Sequence, residues 1–364
     1  MLPEERKYWI AFSSFPGIGP KRFELLVKYF GSAENAWKSS EKELKGIGLP
    51  EKITLSFCNF RKKFSIENYL KWISREKINI ITSSDSCYPA LLKEISDPPF
   101  VLYIKSNIFS NKLFQEICIA VVGSRKLTSY GQEVTENLVS GLVTNGCVVV
   151  SGLARGVDSI AHKEAIRSGG KTIAVLGTGV NIVYPPENSD LYKNVINNGA
   201  VISEFPLGYP PLRMNFPARN RIISGLSLGV LITEAAKDSG SLITASFAGE
   251  QGREVFAVPG PITSSVSFGT SELIKKGAKL VTSIADIFEE LNIKNFREVL
   301  NSKKILPTSS DEKIVLDILS SGQLHINDII KNSRLPVYKV GSLLTIMEMK
   351  GMIRNYGNMI YGII

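Results

Sequence analysis

The stretch "FPARNRIISGLSLGVLITEA", residues 216–235, sets Arg219, Asn220 and Arg221 immediately ahead of an apolar run, Ile222–Ile232, with Phe216 and Arg213 just upstream. No acid nearby in sequence neutralises these guanidinium groups. Guanidinium groups grip phosphates bidentately, and an exposed aromatic ring stacks on a base. Together they are the chemistry of a single-strand nucleic-acid site, where stacking contributes roughly 1–3 kcal/mol per base. The alternative is that Phe216 and one arginine belong to a core and a salt bridge.

Other chemistry-bearing positions fall after successive apolar segments: Gly123-Ser124-Arg125, Ser151-Gly152 with Arg155-Gly156, Gly177-Thr178-Gly179, Ser239-Gly240-Ser241 and Pro259-Gly260. Small residues let a ligand approach the backbone, and the amides and helix dipoles there favour an anion. A dinucleotide fold needs Gly-x-Gly-x-x-Gly. Here Val180, Asn181 and Ile182 follow Gly179, so the third glycine is missing, and no P-loop motif occurs. Acid–base groups are scarce. His162 lies within an amphipathic helical stretch as a packing residue, and His325 lies far along the chain. Asp158 stands at a helix start, where it is expected to cap. Glu204 and Glu234 end strands, where a carboxylate can bind ribose or act as a base; the favoured expectation is that they pair with Arg219 or Arg221. No catalytic group, cofactor or metal site is expected.

The elements that position these residues follow from periodicity. Residues 1–70 read as short helices, with "GIGPKRFELLVKYF" placing a Gly-x-Gly turn before helical spacing and "LKGIGLPEKI" as an echo. Such a turn presents amides to a phosphate in a helix-hairpin-helix, or simply closes a small bundle. From about 117 to 283, apolar strands alternate with helices: "ICIAVVGS", "CVVVSGLA", "KTIAVLGTG", "AVISEF", "LGVLITEA" and "EVFAVPG". That alternation predicts an α/β fold, a doubly wound Rossmann-like parallel sheet. Arg213–Arg221 are then placed in the loop entering the strand "LGVLIT". The expected division is a helical domain over 1–70, a Rossmann-like domain over 71–296 with a lead-in at 71–116, a linker at 297–310, and a winged helix over 311–364.

The net charge of +9 favours an anionic partner. Residues 113–290 carry 15 basic and 16 acidic side chains, so a polyanion would be held there by a local cluster. Four scattered cysteines fit a reducing cytoplasm. No apolar stretch approaches a membrane span, and the N-terminus shows no signal peptide.

In order, "AVVGSR", "SGLARGVDSIAH", "TIAVLGTGVNIVYPPEN", "SEFPLG", "FPARNRIISGLS", "EAAKDSGSLITASFAGEQGREVFAVPG" and "GTSELIKKGA" resemble the DNA-processing protein A (DprA/Smf) family. The helical front end, SAM- or helix-hairpin-helix-like, and the terminal winged helix also match its longer members. The resemblance implies a non-enzymatic, cytoplasmic homodimer that binds single-stranded DNA and loads RecA recombinase in natural transformation. It implies that Gly123, Ser124 and Arg125 hold a phosphate, that Arg213 binds DNA where the family commonly has Lys, and that Phe216 contacts bases or sugar. Asn181 departs from the family's usual Asp, with a local effect on the loop expected. With Ser151, Gly152, Arg219, Asn220, Arg221, Ser239 and Gly240, these form the expected DNA-binding set. A nucleotide-hydrolysing Rossmann enzyme of the phosphoribohydrolase type is the alternative. Such enzymes place acids after Pro-Gly-Gly-x-Gly-Thr, whereas no acid directly follows Thr244 in "SGSLITASFAGE".

Overall fold

The computed structural model describes residues 3–293, 309–320, 322–349, 352–357 and 359–363. They form two compact units, one up to Asn292 and one from Ile293 onward.

The first unit begins with six helices: α1 (Pro3–Ser13), α2 (Pro20–Phe30), α3 (Ala33–Lys38), α4 (Glu41–Gly46), α5 (Glu51–Lys63) and α6 (Ile66–Arg75). The first Gly-x-Gly stands ahead of α2 and its echo between α4 and α5, as the sequence placed them. Aromatic residues fill the bundle. Phe12 stacks on Phe57 with centroids 5.2 Å apart, and Trp37 meets Phe57 edge-on at 5.3 Å.

The chain continues through β1 (Asn79–Thr82), α7 (Ala90–Lys93), β2 (Val101–Lys105), β3 (Cys118–Val122), α8 (Ser129–Thr144), β4 (Val148–Ser151), α9 (Val157–Arg167) and β5 (Thr172–Val175). After these come α10 (Ser189–Asn198), β6 (Gly199–Ser203), α11 (Asn215–Gly225), β7 (Gly229–Ile232), α12 (Ser241–Glu250), β8 (Glu254–Ala257), α13 (Phe268–Lys275), β9 (Lys279–Leu280) and α14 (Ile284–Glu290). The nine strands make one sheet in the order β1-β2-β6-β5-β4-β3-β7-β8-β9. From β6 to β9 all pairings are parallel, with Ile119 opposite Gly229 and Val149 opposite Thr172. Strands β3 to β7 are buried along their whole length, because helices cover both faces. The doubly wound sheet expected from the sequence is therefore present.

One edge departs from that expectation. The segment read as a lead-in supplies β1 and β2, which add antiparallel to β6 through pairs such as Tyr103 with Ser203. Their apolar residues alternate between two cores, Val101 and Tyr103 on the face shared with the bundle and Ile81, Leu102 and Ile104 on the other. Tyr103 is fully buried, bonded to Ser13 Oγ at 2.6 Å and to Tyr69 Oη at 3.3 Å. Tyr69 in turn accepts the amide of Leu207 at 3.0 Å. The bundle core runs on through Val101 and Leu176 to Val195, so the bundle and one face of the sheet share a hydrophobic interior, while Val150, Ile173 and Ile222 belong to a second core on the other face.

The second unit holds α15 (Ser310–Leu319), β10 (Leu324–His325), α16 (Ile326–Ser333), α17 (Val337–Met349), β11 (Ile353–Asn355) and β12 (Ile360–Ile363). Its sheet runs β10-β12-β11 around a core of Val315, Ile329, Leu344 and Ile353. Three helices and this sheet make the winged helix read from the sequence. Most of the expected linker, 297–308, lies outside the described residues. Ser309 belongs to the next element, capping α15 by accepting the amide of Glu312. No helix of the described residues is long and apolar enough to cross a membrane.

Phe57 is fully buried among Phe12, Phe15 and Trp37. Phe57→Ala should destabilise the first unit by about 3–5 kcal/mol. Because the interior is shared, hydrogen exchange at the β2 and β6 amides should accelerate with that of the bundle. Unchanged sheet protection would show that bundle and sheet do not share an interior.

Candidate nucleic-acid interface

Residues expected in a loop stand on a helix. Asn215–Gly225 form α11, with Arg213 and Met214 just ahead of it. Helical geometry separates the residues by face. Asn215, Arg219 and Ile222 turn inward and are buried, whereas Phe216 and Asn220 are half-buried and Arg213 is exposed.

Arg219 Nη1 donates to the carbonyls of Gly152 at 2.6 Å and Val175 at 2.5 Å, which lie at the ends of β4 and β5. Burial lowers its pKa to about 10, so it stays charged at neutral pH. Asn215 Nδ2 donates to Gly177 O at 2.9 Å. Arg221 pairs with Glu204 at 2.5 Å and with Asp97 at 2.9 Å. Burial is the main cause holding the Glu204 carboxyl above the usual carboxylate range. The expected Glu204–Arg221 pairing is present. Arg219 and Arg221 are correspondingly removed from the surface set: 4% and 6% exposed, they build the site from beneath.

The small-residue loops divide the same way. Ser151 is fully buried, its hydroxyl donating to Val121 O at 2.7 Å. Gly152 donates its amide to Asp158 Oδ2 at 3.1 Å, and a Cβ there would lie 1.9 Å from Arg219 Nη1. The glycine admits a guanidinium group, and its backbone is part of the lining of the pocket beside Phe216. Asp158 therefore does not cap α9; it accepts the loop amides of Gly152 and Ala154 while Gly156 is the N-cap. Gly156 has φ +73°, and a Cβ would fall 2.1 Å from Ser124 O. Ser124 is buried, its hydroxyl donating to Lys126 O at 2.6 Å, and its amide donates to Glu234 O at 2.7 Å.

Strand order reverses between β3 and β7, the point at which such sheets bind ligands. That crevice is filled from within. The Glu234 carboxylate accepts the Thr128 amide at 2.9 Å and its hydroxyl at 2.5 Å, at the start of α8. Glu234 was expected to pair with an arginine; it serves instead as the anion at a helix N-terminus.

What stays open lies over β3–β5. The Arg125 guanidinium, exposed, sits 6.0 Å from the Phe216 ring centroid, and the Tyr184 ring centroid lies 5.4 Å from it with the planes tilted by 37°. With Ala154, Arg155, Pro185 and the buried Arg219 they line a pocket. Arg155 is exposed and bonded to Glu187. Asn220 Nδ2 donates to Gly240 O at 3.3 Å, and Gly240 itself is exposed beside a half-buried Ser239. The arrangement offers a ring to stack on and free positive charge beside it. Among the described residues no group of His, Cys, Asp or Glu could hold a metal ion.

Tyr184 is the residue the sequence reading missed. Its signal was an aromatic before Pro185-Pro186 in the connection leaving β5, on the ligand-binding edge. Lys237, 5.7 Å from the Phe268 ring, was missed likewise, and it follows β7 on the same edge. Asn181 accepts the Gly208 amide at 2.8 Å, so its carbonyl oxygen performs a loop-holding task open to a carboxylate. His162, placed as a packing residue, is fully buried, with Nδ1 on Thr172 Oγ1 at 2.7 Å.

The family model described as DNA recombination-mediator protein A matches residues 79–292, and that of the DprA winged helix domain matches 302–357. Protein Smf of Synechocystis sp. is 37% identical over 309 residues, 84% of this chain and 78% of its own. DNA processing protein DprA of Streptococcus pneumoniae is 48% identical over 206 residues, 57% of this chain and 72% of its own. The X-ray structure of DprA from Streptococcus pneumoniae aligns with a TM-score of 0.67 at 36% identity, covering 79% of this chain and 98% of that one. A DNA processing protein A structure from Helicobacter pylori, described for its single-stranded DNA binding mode, gives 0.54 at 30% identity, covering 60% and 98%.

Three outcomes follow from this geometry. Arg219→Ala strips two carbonyls of their donor and leaves Asp158 buried without its nearest cation, so it should cost about 3–5 kcal/mol in denaturant unfolding. Arg125→Ala should leave the midpoint nearly unchanged. Burial and the nearby Arg219 charge lower the His162 pKa from 6.5 to about 3. Below pH 6.5 the unfolded chain takes up a proton that the folded chain refuses. Stability from this residue is thus complete above pH 6.5 and lost towards pH 3, at about 1.4 kcal/mol per pH unit. Urea titrations at pH 7, 6 and 5 should show a shallower slope for His162→Gln.

Proposed function

Because this chain belongs to the DNA processing protein A (DprA/Smf) family, we propose that it binds single-stranded DNA across the strand-end edge and loads RecA recombinase onto it during natural transformation. The observation that carries this reading is the half-buried Phe216 ring flanked by Tyr184 and by the exposed Arg125 guanidinium. A ring of this kind stacks on any base, and a guanidinium group beside it grips the backbone phosphate, so the site holds single strands without regard to sequence. Duplex DNA hides its base faces and forfeits the stacking. Single-strand binding is what the Helicobacter pylori relative is described for. A mediator role accords with the description of the family model, and the transfer to RecA rests on family resemblance.

The protein acts as a cytoplasmic homodimer and carries the strand without chemical change. Supporting a carrier over a nucleotide hydrolase, the acid–base groups near the cleft are engaged by the protein itself. Asp158 holds loop amides, Glu234 holds the start of α8, and His162 is buried and neutral. Incubation with nucleoside monophosphates should release no base.

The measurement that tests the reading is affinity for an oligothymidine and for a duplex of equal length, followed by anisotropy as salt is raised. Single strands should bind more tightly, with a log–log slope of about −0.7 per phosphate neutralised. Arg125→Ala should weaken binding and flatten that slope by about one phosphate. Equal affinity for single strand and duplex would overturn it.

A further inference from the structure

The helical bundle brings an exposed aromatic ring to the strand-end edge, and the site around Phe216 does not use it. Trp72 of α6 is 38% exposed, yet it is held on two sides. Tyr69 meets its ring at 6.1 Å with the planes 77° apart, and Gly208, in the loop after β6, lies against it. Gly208 has φ +76°, and a Cβ there would stand 2.9 Å from Trp72 Cη2, so the bare backbone both permits the turn and seats the indole. The ring is fixed before any ligand arrives, which spares the cost of ordering it on binding.

Its surroundings are positive. Lys71 precedes it, Arg75 follows about one turn later, and Lys77 stands just past the end of the helix; all three are exposed. Among the described residues none of the three has an acidic partner. Glu76 is taken by Lys105 at 3.0 Å, and Glu67, one turn before Lys71, forms no ion pair with it. An apolar protein surface laid on the ring would desolvate these cations without pairing them, which is costly. A polyanion that carries flat rings meets both features at once.

A continuous surface joins this ring to the stacking site. Tyr184, tilted beside Phe216, is exposed, and Asn181, Ile182 and Val183 just before it are half-buried. Asn181 Oδ1 accepts the Gly208 amide at 2.8 Å, and Gly208 touches Trp72. From Tyr184 back to Asn181 the chain covers at most about 11 Å. One strand can therefore reach both rings along surface residues of the same edge.

We propose that Trp72 is a second stacking platform on the path of the bound strand, with Lys71, Arg75 and Lys77 holding phosphates beside the stacked base. The N-terminal bundle then extends the DNA site. The proposal rests on the single-strand reading and adds to it a footprint longer than the cleft over β3–β5. An indole face accepts any base, so the extension adds affinity without sequence preference.

The test uses the full chain with oligothymidines of about 4 and about 16 nucleotides, the two ends of the usual range of single-strand site sizes. Of the three tryptophans, Trp37 is buried and Trp9 packs against Phe23 and Phe100, so a base on Trp72 is read directly as fluorescence quenching. The long oligomer should quench wild-type emission. Trp72→Phe keeps a ring, so it should lose the quench yet bind within about twofold of wild type by anisotropy. Trp72→Ala should bind the long oligomer about tenfold more weakly, within the range for one stacked base, and the short one unchanged. Arg75→Ala should flatten the log–log salt slope of the long oligomer by about 0.7, one phosphate. The wild-type quench needs no variant, so a folding defect cannot mask it. Tight binding without a quench, or a Trp72→Ala chain that holds the long oligomer as wild type does, overturns the platform and leaves the single-strand reading intact. An equal loss for both lengths also overturns it, because Trp72 would then act by positioning the loop after β6. Failure of the wild-type chain to bind either length overturns both.

Discussion

The Arg219 guanidinium, buried and donating to the carbonyls of Gly152 and Val175, fastens α11 across the ends of two parallel strands. Strand-end carbonyls have no further ladder partner and need a donor once buried. Arg219 meets two of them with one nitrogen, and Gly152 is a glycine because any side chain would collide with that nitrogen. The position of Phe216 depends on this contact. Three residues earlier on the same helix, the ring is held against Gly177 and beneath Arg125, and Asn215 adds its own bond to Gly177.

Charge is distributed by the same logic. A parallel sheet gathers helix N-termini and loop amides at one edge, which then favours anions. Much of that capacity is met by carboxylates of the chain itself. Glu234 occupies the start of α8 and Asp158 the loop after β4. Each fixes a loop and lowers the positive potential where it sits. Arg125 and Arg213 stay exposed, so attraction for a phosphate is concentrated beside the aromatic ring. This accords with a middle block whose basic and acidic residues nearly balance.

The N-terminal helices also bear on that edge. Tyr69 of α6 accepts the Leu207 amide in the loop after β6, and fully buried Tyr103 joins α1 and α6 to β2. A polar chain inside an apolar core permits few arrangements, because each member needs its partner. The loop carrying Glu204 to Tyr209 is therefore set by the bundle as well as by the sheet.

The sequence alone determined the order of the parallel strands and most of the helices between them, though not α11 or the edge strands β1 and β2. Alternating apolar strands and amphipathic helices fixed the doubly wound sheet, because period and burial are local properties of the chain. The same local pattern identified the winged helix and located the loops at the ligand-binding edge. What it could not decide was which of several arginines face water. Arg125, Arg213, Arg219 and Arg221 look alike in sequence, yet two are exposed and two are buried on partners far away in the chain. Arg219 bonds residues 67 and 44 positions away, and Arg221 finds Asp97 across the fold. The antiparallel edge was hidden for the same reason, since β2 is recognisable only once β6 is beside it. Glu234 and Tyr184 acquire their roles through neighbours that the chain brings together only on folding. Local pattern specifies what each segment becomes; burial and partner choice for a charged side chain belong to the tertiary structure, because they depend on which carbonyls and carboxylates the packed sheet leaves unmet.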